Sequence, residues 1–86
     1  MRLKVFIKGD EPIMRDTEEL VNRLKDTVNA DIEFIDTESK EATSVVEVYE
    51  IFSTPSFLVT TDDGSVVHSW MGELPMEDDI RRYLSS

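Results

Sequence analysis

The stretch Ser53-Thr54-Pro55-Ser56-Phe57-Leu58-Val59 constrains this chain most. A helical pattern stops ahead of it, a proline intervenes, and an apolar strand pattern begins. Pro55 has no amide hydrogen and would weaken the middle of a strand, so it belongs at the strand's first residue or in the turn before it. An X-Pro bond in that position is a candidate for the rare cis form. A cis bond would turn the backbone of Thr54 outward, where an extended segment of another chain can meet it.

The pattern on either side of this stretch is regular. Arg2 to Lys8 reads as a strand, with Leu3, Val5 and Ile7 alternating with Arg2, Lys4 and Lys8. Phe6 breaks the polar side, which marks a central strand covered on both faces. Gly9-Asp10 ends it, with Asp10 as an N-cap, Glu11 favourably placed against the helix dipole and Pro12 in the first turn, where a missing N–H costs nothing. From Pro12 to about Asn29 the residues Ile13, Thr17, Leu20, Val21, Leu24 and Val28 form a helical stripe, opposite a charged face that includes a Glu19/Arg23 pair four apart.

Ile32 to Ile35 is a short strand, and Asp36 or Thr37 can cap the next helix. That second helix is expected from about Ser39 to Phe52, carrying Ala42, Val45, Val46, Tyr49 and Phe52 on one face; periodicity rather than propensity supports it, because valine is a poor helix former. Short joins in this β-α-β start imply parallel pairing of the first two strands. Ser56 to Thr60 and Ser65 to Met71 are the third and fourth strands, and Asp63-Gly64 between them is a strong hairpin signal. Gly72 fits a bulge or a close backbone approach. Pro75 opens a last helix with Met76, Ile80, Tyr83 and Leu84 on one face, acids early and arginines late.

Composition sets limits on chemistry. Eighty-six residues make one domain, spanning 1–86, with a single modest core. With no cysteine in the sequence, disulfides, thiolate metal sites and cysteine nucleophiles are excluded. A net charge of −10 opposes nucleic acid and anionic membrane surfaces and is compatible with a basic protein partner, a saline habitat or plain solubility. The acids are spread over all the expected helices, as solubility requires. No apolar run approaches the roughly 20 residues needed to span a bilayer, and the N-terminus enters a strand pattern directly. A cytoplasmic location is the expectation.

The order βαβαββα, with X-Pro before the third strand and glycine after the fourth, resembles the thioredoxin-like fold over the whole chain. Thr54-Pro55 matches the cis-proline position of that superfamily, and Met71-Gly72-Glu73-Leu74-Pro75 is similar to the glycine bulge leading into its last helix. The resemblance implies an α/β architecture in which a four-stranded mixed sheet is flanked by three helices, the first strand lying between the second and third and the fourth at one edge. The Cys-Pro-x-Cys of glutaredoxins falls on Glu11-Pro12-Ile13-Met14. A carboxylate and a thioether replace the two thiols, and neither forms a mixed disulfide.

The segment Leu3-Lys4-Val5-Phe6-Ile7-Lys8-Gly9-Asp10-Glu11-Pro12 also resembles the opening of the circadian clock protein KaiB and of the sensor-kinase domains similar to it, which lack the cysteine pair too. Ser53-Thr54-Pro55 and Gly72-Glu73-Leu74 have counterparts there, whereas Thr60-Thr61-Asp62-Asp63-Gly64 is an ordinary thioredoxin-type turn. This resemblance carries over the idea of a non-redox, partner-binding domain.

The expected partner-binding rim is therefore Glu11, Pro12, Met14, Thr54 and Pro55. Glu11 is either an exposed carboxylate for a cationic partner or a first-turn acid that stabilises its helix by roughly 0.3–1 kcal/mol. Met14 lies off the apolar stripe and suits an adaptable surface, while Ile13 is expected to face the core. His68 and Trp70, two residues apart, share one face of the fourth strand and are expected to pack under the last helix or cover the sheet's edge. One histidine supplies neither a metal cluster nor a triad. Asp62/Asp63 and Asp78/Asp79 are poor metal sites, and no glycine-rich phosphate loop is present. The expectation is a non-enzymatic module without cofactor or metal, binding a basic or extended protein segment. The alternatives are a small-molecule groove for a thiol or glutathione-like ligand, and a structural subunit whose acidity serves solubility in salt.

Overall fold

The computed structural model describes residues 1–9 and 13–85. Among the described residues there are four strands: β1 (Arg2–Ile7), β2 (Asp31–Asp36), β3 (Ser56–Thr60) and β4 (Val66–Met71). They form one sheet in the order β2-β1-β3-β4. β1 runs parallel to β2 and antiparallel to β3, and β4 is antiparallel to β3. This is the strand order that the thioredoxin-like resemblance implies.

The helices are α1 (Met14–Thr27), α2 (Thr43–Val48, preceded by a 3-10 turn at Lys40–Ala42) and α3 (Glu77–Leu84). Alternation along the strands divides the apolar residues between two layers. Leu3, Val5, Phe57, Val59 and Trp70 face Leu20, Val21 and Leu24 of α1 and Ile80 and Leu84 of α3. Phe6 and Leu58 face the other way, where Val45, Val46, Tyr49 and Ile51 cover them. All five residues of β3 are buried, as a strand covered on both faces demands.

The second helix is shorter than its periodicity implies. α2 spans Thr43–Val48, and Glu50 takes a positive φ of 54°. The Ile51 N–H donates to the Val46 carbonyl at 3.0 Å and the Glu50 N–H to the Glu47 carbonyl at 3.2 Å. This is a Schellman closure with glutamate where glycine is usual, and its apolar partner Ile51 is buried. Phe52, expected on the buried face, lies past this closure and is 90% exposed. β-branched Val45, Val46 and Val48 lower the helix propensity, so tertiary burial of Ile51 decides where the helix stops.

The expected caps also differ. Neither Asp36 nor Thr37 caps a helix: Asp36 Oδ1 accepts the Glu38 N–H at 2.9 Å in a local turn, and the Thr37 hydroxyl donates to the Ile7 carbonyl at 3.1 Å. The Asp10 cap falls outside the described residues. Met76, expected on the apolar face of the last helix, precedes α3 in extended conformation and is 72% exposed. The β-bulge lies where Val59 pairs His68 and Thr60 pairs Val66, so Val67 is the extra residue. Gly72 is a close approach instead.

Candidate functional site

The segment leading into β3 is held by a chain of hydrogen bonds that begins at a buried hydroxyl. Ser56 Oγ donates to the Ser53 carbonyl at 2.6 Å and accepts the Gly72 N–H at 3.2 Å. The donor and one acceptor position of a fully buried hydroxyl are thus both used. Gly72 has φ +69°, and a Cβ there would lie 2.7 Å from Ser53 Oγ and 3.1 Å from Ser53 Cβ. The residues before Pro55 are therefore locked to the end of β4. The Thr54–Pro55 peptide is cis.

α1 begins on the other side of this segment. Thr17, inside the first turns, is buried and donates its hydroxyl to the Ile13 carbonyl at 3.0 Å, which consumes a polar group that would otherwise be stranded. Ile13, Met14 and Thr17 of the helix start, with Ile7 and Lys8 at the end of β1, line a crevice of about 10 Å³ against Pro55. Ile13, expected in the core, is half-buried in this crevice. Its room is that of a single water, so it is a contact surface rather than a ligand cavity.

A larger hollow of about 220 Å³ opens on the α2 side of the same segment, lined by Lys8, Thr37, Ile51, Phe52, Ser53 and Thr54. It sits at the carboxyl ends of the parallel strands β1 and β2, the usual place for ligands on such sheets. Lys8 is exposed and borders both depressions. Phe52 offers a large apolar ring beside it.

Of the expected rim, Met14 and Pro55 meet in one crevice and Thr54 lies on the adjoining hollow. Thr54 is half-buried and already engaged by another group of the chain. Glu11 and Pro12 lie outside the described residues. Sequence reasoning missed two contributors. Lys8 carried a signal, as the cation closing β1 just ahead of Gly9, whereas Phe52 was hidden by an apparently unbroken helical period.

His68 lies away from this rim. Its ring stacks on Tyr83 with centroids 4.6 Å apart and planes at 9°, and meets Trp70 edge-on at 4.6 Å. The pair is packing under α3, as two-residue spacing on β4 implies. Among the described residues, no group of three or more His, Asp or Glu side chains is placed to hold a metal ion. No helix among them is long and apolar enough to cross a membrane.

No protein-family model matches this chain, and no curated protein matches it. Solved structures do. A single-site mutant of thioredoxin from Halobacterium salinarum NRC-1 superposes with a TM-score of 0.81 at 19% identity, over 96% of this chain and 70% of that one. Thioredoxin 1 from the thermophilic eubacterium Thermosipho africanus gives 0.79 at 17% identity, over 99% of this chain and 96% of its own. A designed protein gives 0.73 at 22% identity, over 98% and 72%. At these identities the likeness concerns architecture, and with the strand order and helix placement above it makes this chain a thioredoxin-like fold that carries no cysteine.

Proposed function

We propose that this chain is a non-redox, cytoplasmic protein-interaction module that binds an extended partner segment along the Pro55 rim, with Met14, Thr54 and Pro55 as contacts; Glu11 and Pro12, the other residues expected at this rim, lie outside the described residues. The observation that carries the reading is the rigid meeting of the start of α1 with the start of β3: Met14 and Pro55 share a crevice too small for a ligand, on a segment braced by Ser56 and Gly72. Preorganised surfaces of this kind lose little freedom on docking. Exposed Phe52 and half-buried Met14 supply apolar contact, and thioether side chains adapt to varied partners. The sequence supports the non-redox part of this reading, since thiol exchange needs a sulfur nucleophile and the chain has no cysteine.

Co-purification from the native cell tests this. Met14→Glu and Thr54→Pro, each checked for a native circular dichroism spectrum, are expected to lower partner recovery about tenfold, while a surface change on α3 such as Asp78→Asn leaves it intact. Equal recovery by all variants would remove the rim from consideration.

A second reading, a groove for a thiol or glutathione-like molecule, draws on the hollow of about 220 Å³ where Lys8 stands among Thr37, Ser53 and Thr54. A cation among hydroxyls suits a small carboxylate. Titration with glutathione should then shift the amide resonances of Lys8, Thr37 and Thr54; an unchanged spectrum at millimolar ligand dismisses it.

A further inference from the structure

β2 is a border strand of the sheet, with β1 as its neighbour on the inner side. Its outer backbone edge is the kind of row to which an extended chain can add. Beside that edge, on the α2 face, lies a groove of about 200 Å³ whose lining includes apolar Ile35, Ala42 and Val45 and acidic Glu33 and Glu41. Alternation assigns Asp31, Glu33 and Ile35 to this face and Ile32, Phe34 and Asp36 to the opposite one. Phe34 pairs with Val5 of the main core yet stays 38% exposed, an apolar ring at the border without full cover.

The two faces of β2 therefore ask for different side chains. On the α2 face Glu33 and Glu41 line the groove with Ile35, Ala42 and Val45, and Asp31 shares that face at the start of β2, paired across the strands with Arg2, while Lys4 bridges Glu33 at 2.9 Å. On the opposite face Ile32 packs against the core and Phe34 is left half covered. A strand carrying lysine or arginine at every second position matches both. Its basic heads would reach the three carboxylates, its aliphatic stems would lie on Ile35, Ala42 and Val45, and the intervening apolar residues would cover Phe34.

We propose that the β2 edge is a second docking surface, taking an extended segment that alternates basic and apolar residues by strand addition. A second copy of this chain is disfavoured as occupant, because its net charge of −10 and its own acidic β2 would oppose an acidic edge.

The probe is a short synthetic peptide alternating Lys and Val, titrated into the full chain at about 0.15 M salt, with amide NMR and fluorescence anisotropy as readouts. Shifts concentrated on residues 31–36 and on Ala42 and Val45 are expected. A Glu-Val peptide should not bind, and Glu33→Lys with Glu41→Lys should weaken the Lys-Val peptide about tenfold or more. Alternate N-methylation of the peptide removes ladder hydrogen bonds while keeping its charge, and should abolish binding to the unaltered protein. Equal binding of the N-methylated peptide would overturn the proposal in favour of unspecific charge attraction. Shifts at Ser53, Thr54 and Ser56 instead, a β2-mediated dimer in sedimentation, or no binding at all would overturn it too, the last leaving the acids as guards against edge-to-edge aggregation.

Discussion

Ser56 and Gly72 are joined by a hydrogen bond of 3.2 Å from the glycine amide to the serine hydroxyl, and through it the end of β4 holds the segment that leads into β3. Gly72→Ala would place a methyl group against Ser53 and force a side chain into a left-handed backbone. Rotation of Ser53 Oγ relieves the 2.7 Å contact but not the 3.1 Å contact with its Cβ. The expected loss is about 2 kcal/mol, measured by urea unfolding. Ser56→Ala should cost roughly 1–3 kcal/mol by orphaning the Gly72 amide and the Ser53 carbonyl.

Glu50 offers the opposite experiment. Glutamate at φ 54° occupies a conformation that glycine reaches freely, at the point where the Schellman bonds close α2. Glu50→Gly is expected to stabilise the fold by roughly 0.5–1 kcal/mol, the relief of left-handed strain exceeding the added entropy of the unfolded chain. A raised denaturation midpoint with an unchanged urea slope is the signature. A lower midpoint would mean that the carboxylate makes a contribution greater than the strain.

The hairpin turn should leave a trace in acid. The Thr61 hydroxyl and then the Ser65 amide and hydroxyl hold the Asp63 carboxyl below its ordinary 3.8. A group depressed on folding contributes stability above its unfolded pKa and loses it as pH falls through the folded value. The effect is therefore intact at neutral pH, begins to fade as pH falls past the ordinary 3.8 and is gone once pH has fallen through the lower folded value. Asp63→Asn should flatten this part of the acid limb in a pH series of thermal melts, with the sign reversed if the carboxylate were instead repelled by Asp62.

Tyr83 bridges α3 to β4 through two rings, stacked on His68 at 4.6 Å and edge-on to Trp70 at 5.7 Å. Tyr83→Leu retains an apolar body but removes both ring contacts, so a loss of roughly 1–2 kcal/mol is expected. Trp70, 8% exposed, is the sole tryptophan and reports the change. Its emission should shift to longer wavelength, because the ring that screens it from solvent is gone.

Phe52 separates binding from folding. At 90% exposure, Phe52→Ser should alter stability by no more than about 0.5 kcal/mol. If the rim binds an apolar segment, the same change weakens co-purification severalfold, by the loss of one aromatic contact. Undiminished partner recovery would take Phe52 out of the surface.

Period and punctuation alone determined most of the architecture. The alternation in β1, β3 and β4, the stripe from Thr17 to Leu24, Pro55 at the start of a strand and Asp63-Gly64 at a turn are local signals, and each was visible because one residue type has one backbone preference. The meeting of Met14 with Pro55 comes from the antiparallel pairing of β3 with β1, which sets the start of β3 beside the end of β1, where the chain turns into α1. Tertiary structure alone decided where α2 ends and what Phe52, Ile13 and Gly72 do. A run of valines satisfies helical spacing without stabilising a helix, so burial of Ile51 against Val46 set the stop and turned Phe52 out. The acidic groove beside β2 had no sequence signature of its own as a surface, because charge becomes one only when strands and helices distant in the chain are brought side by side.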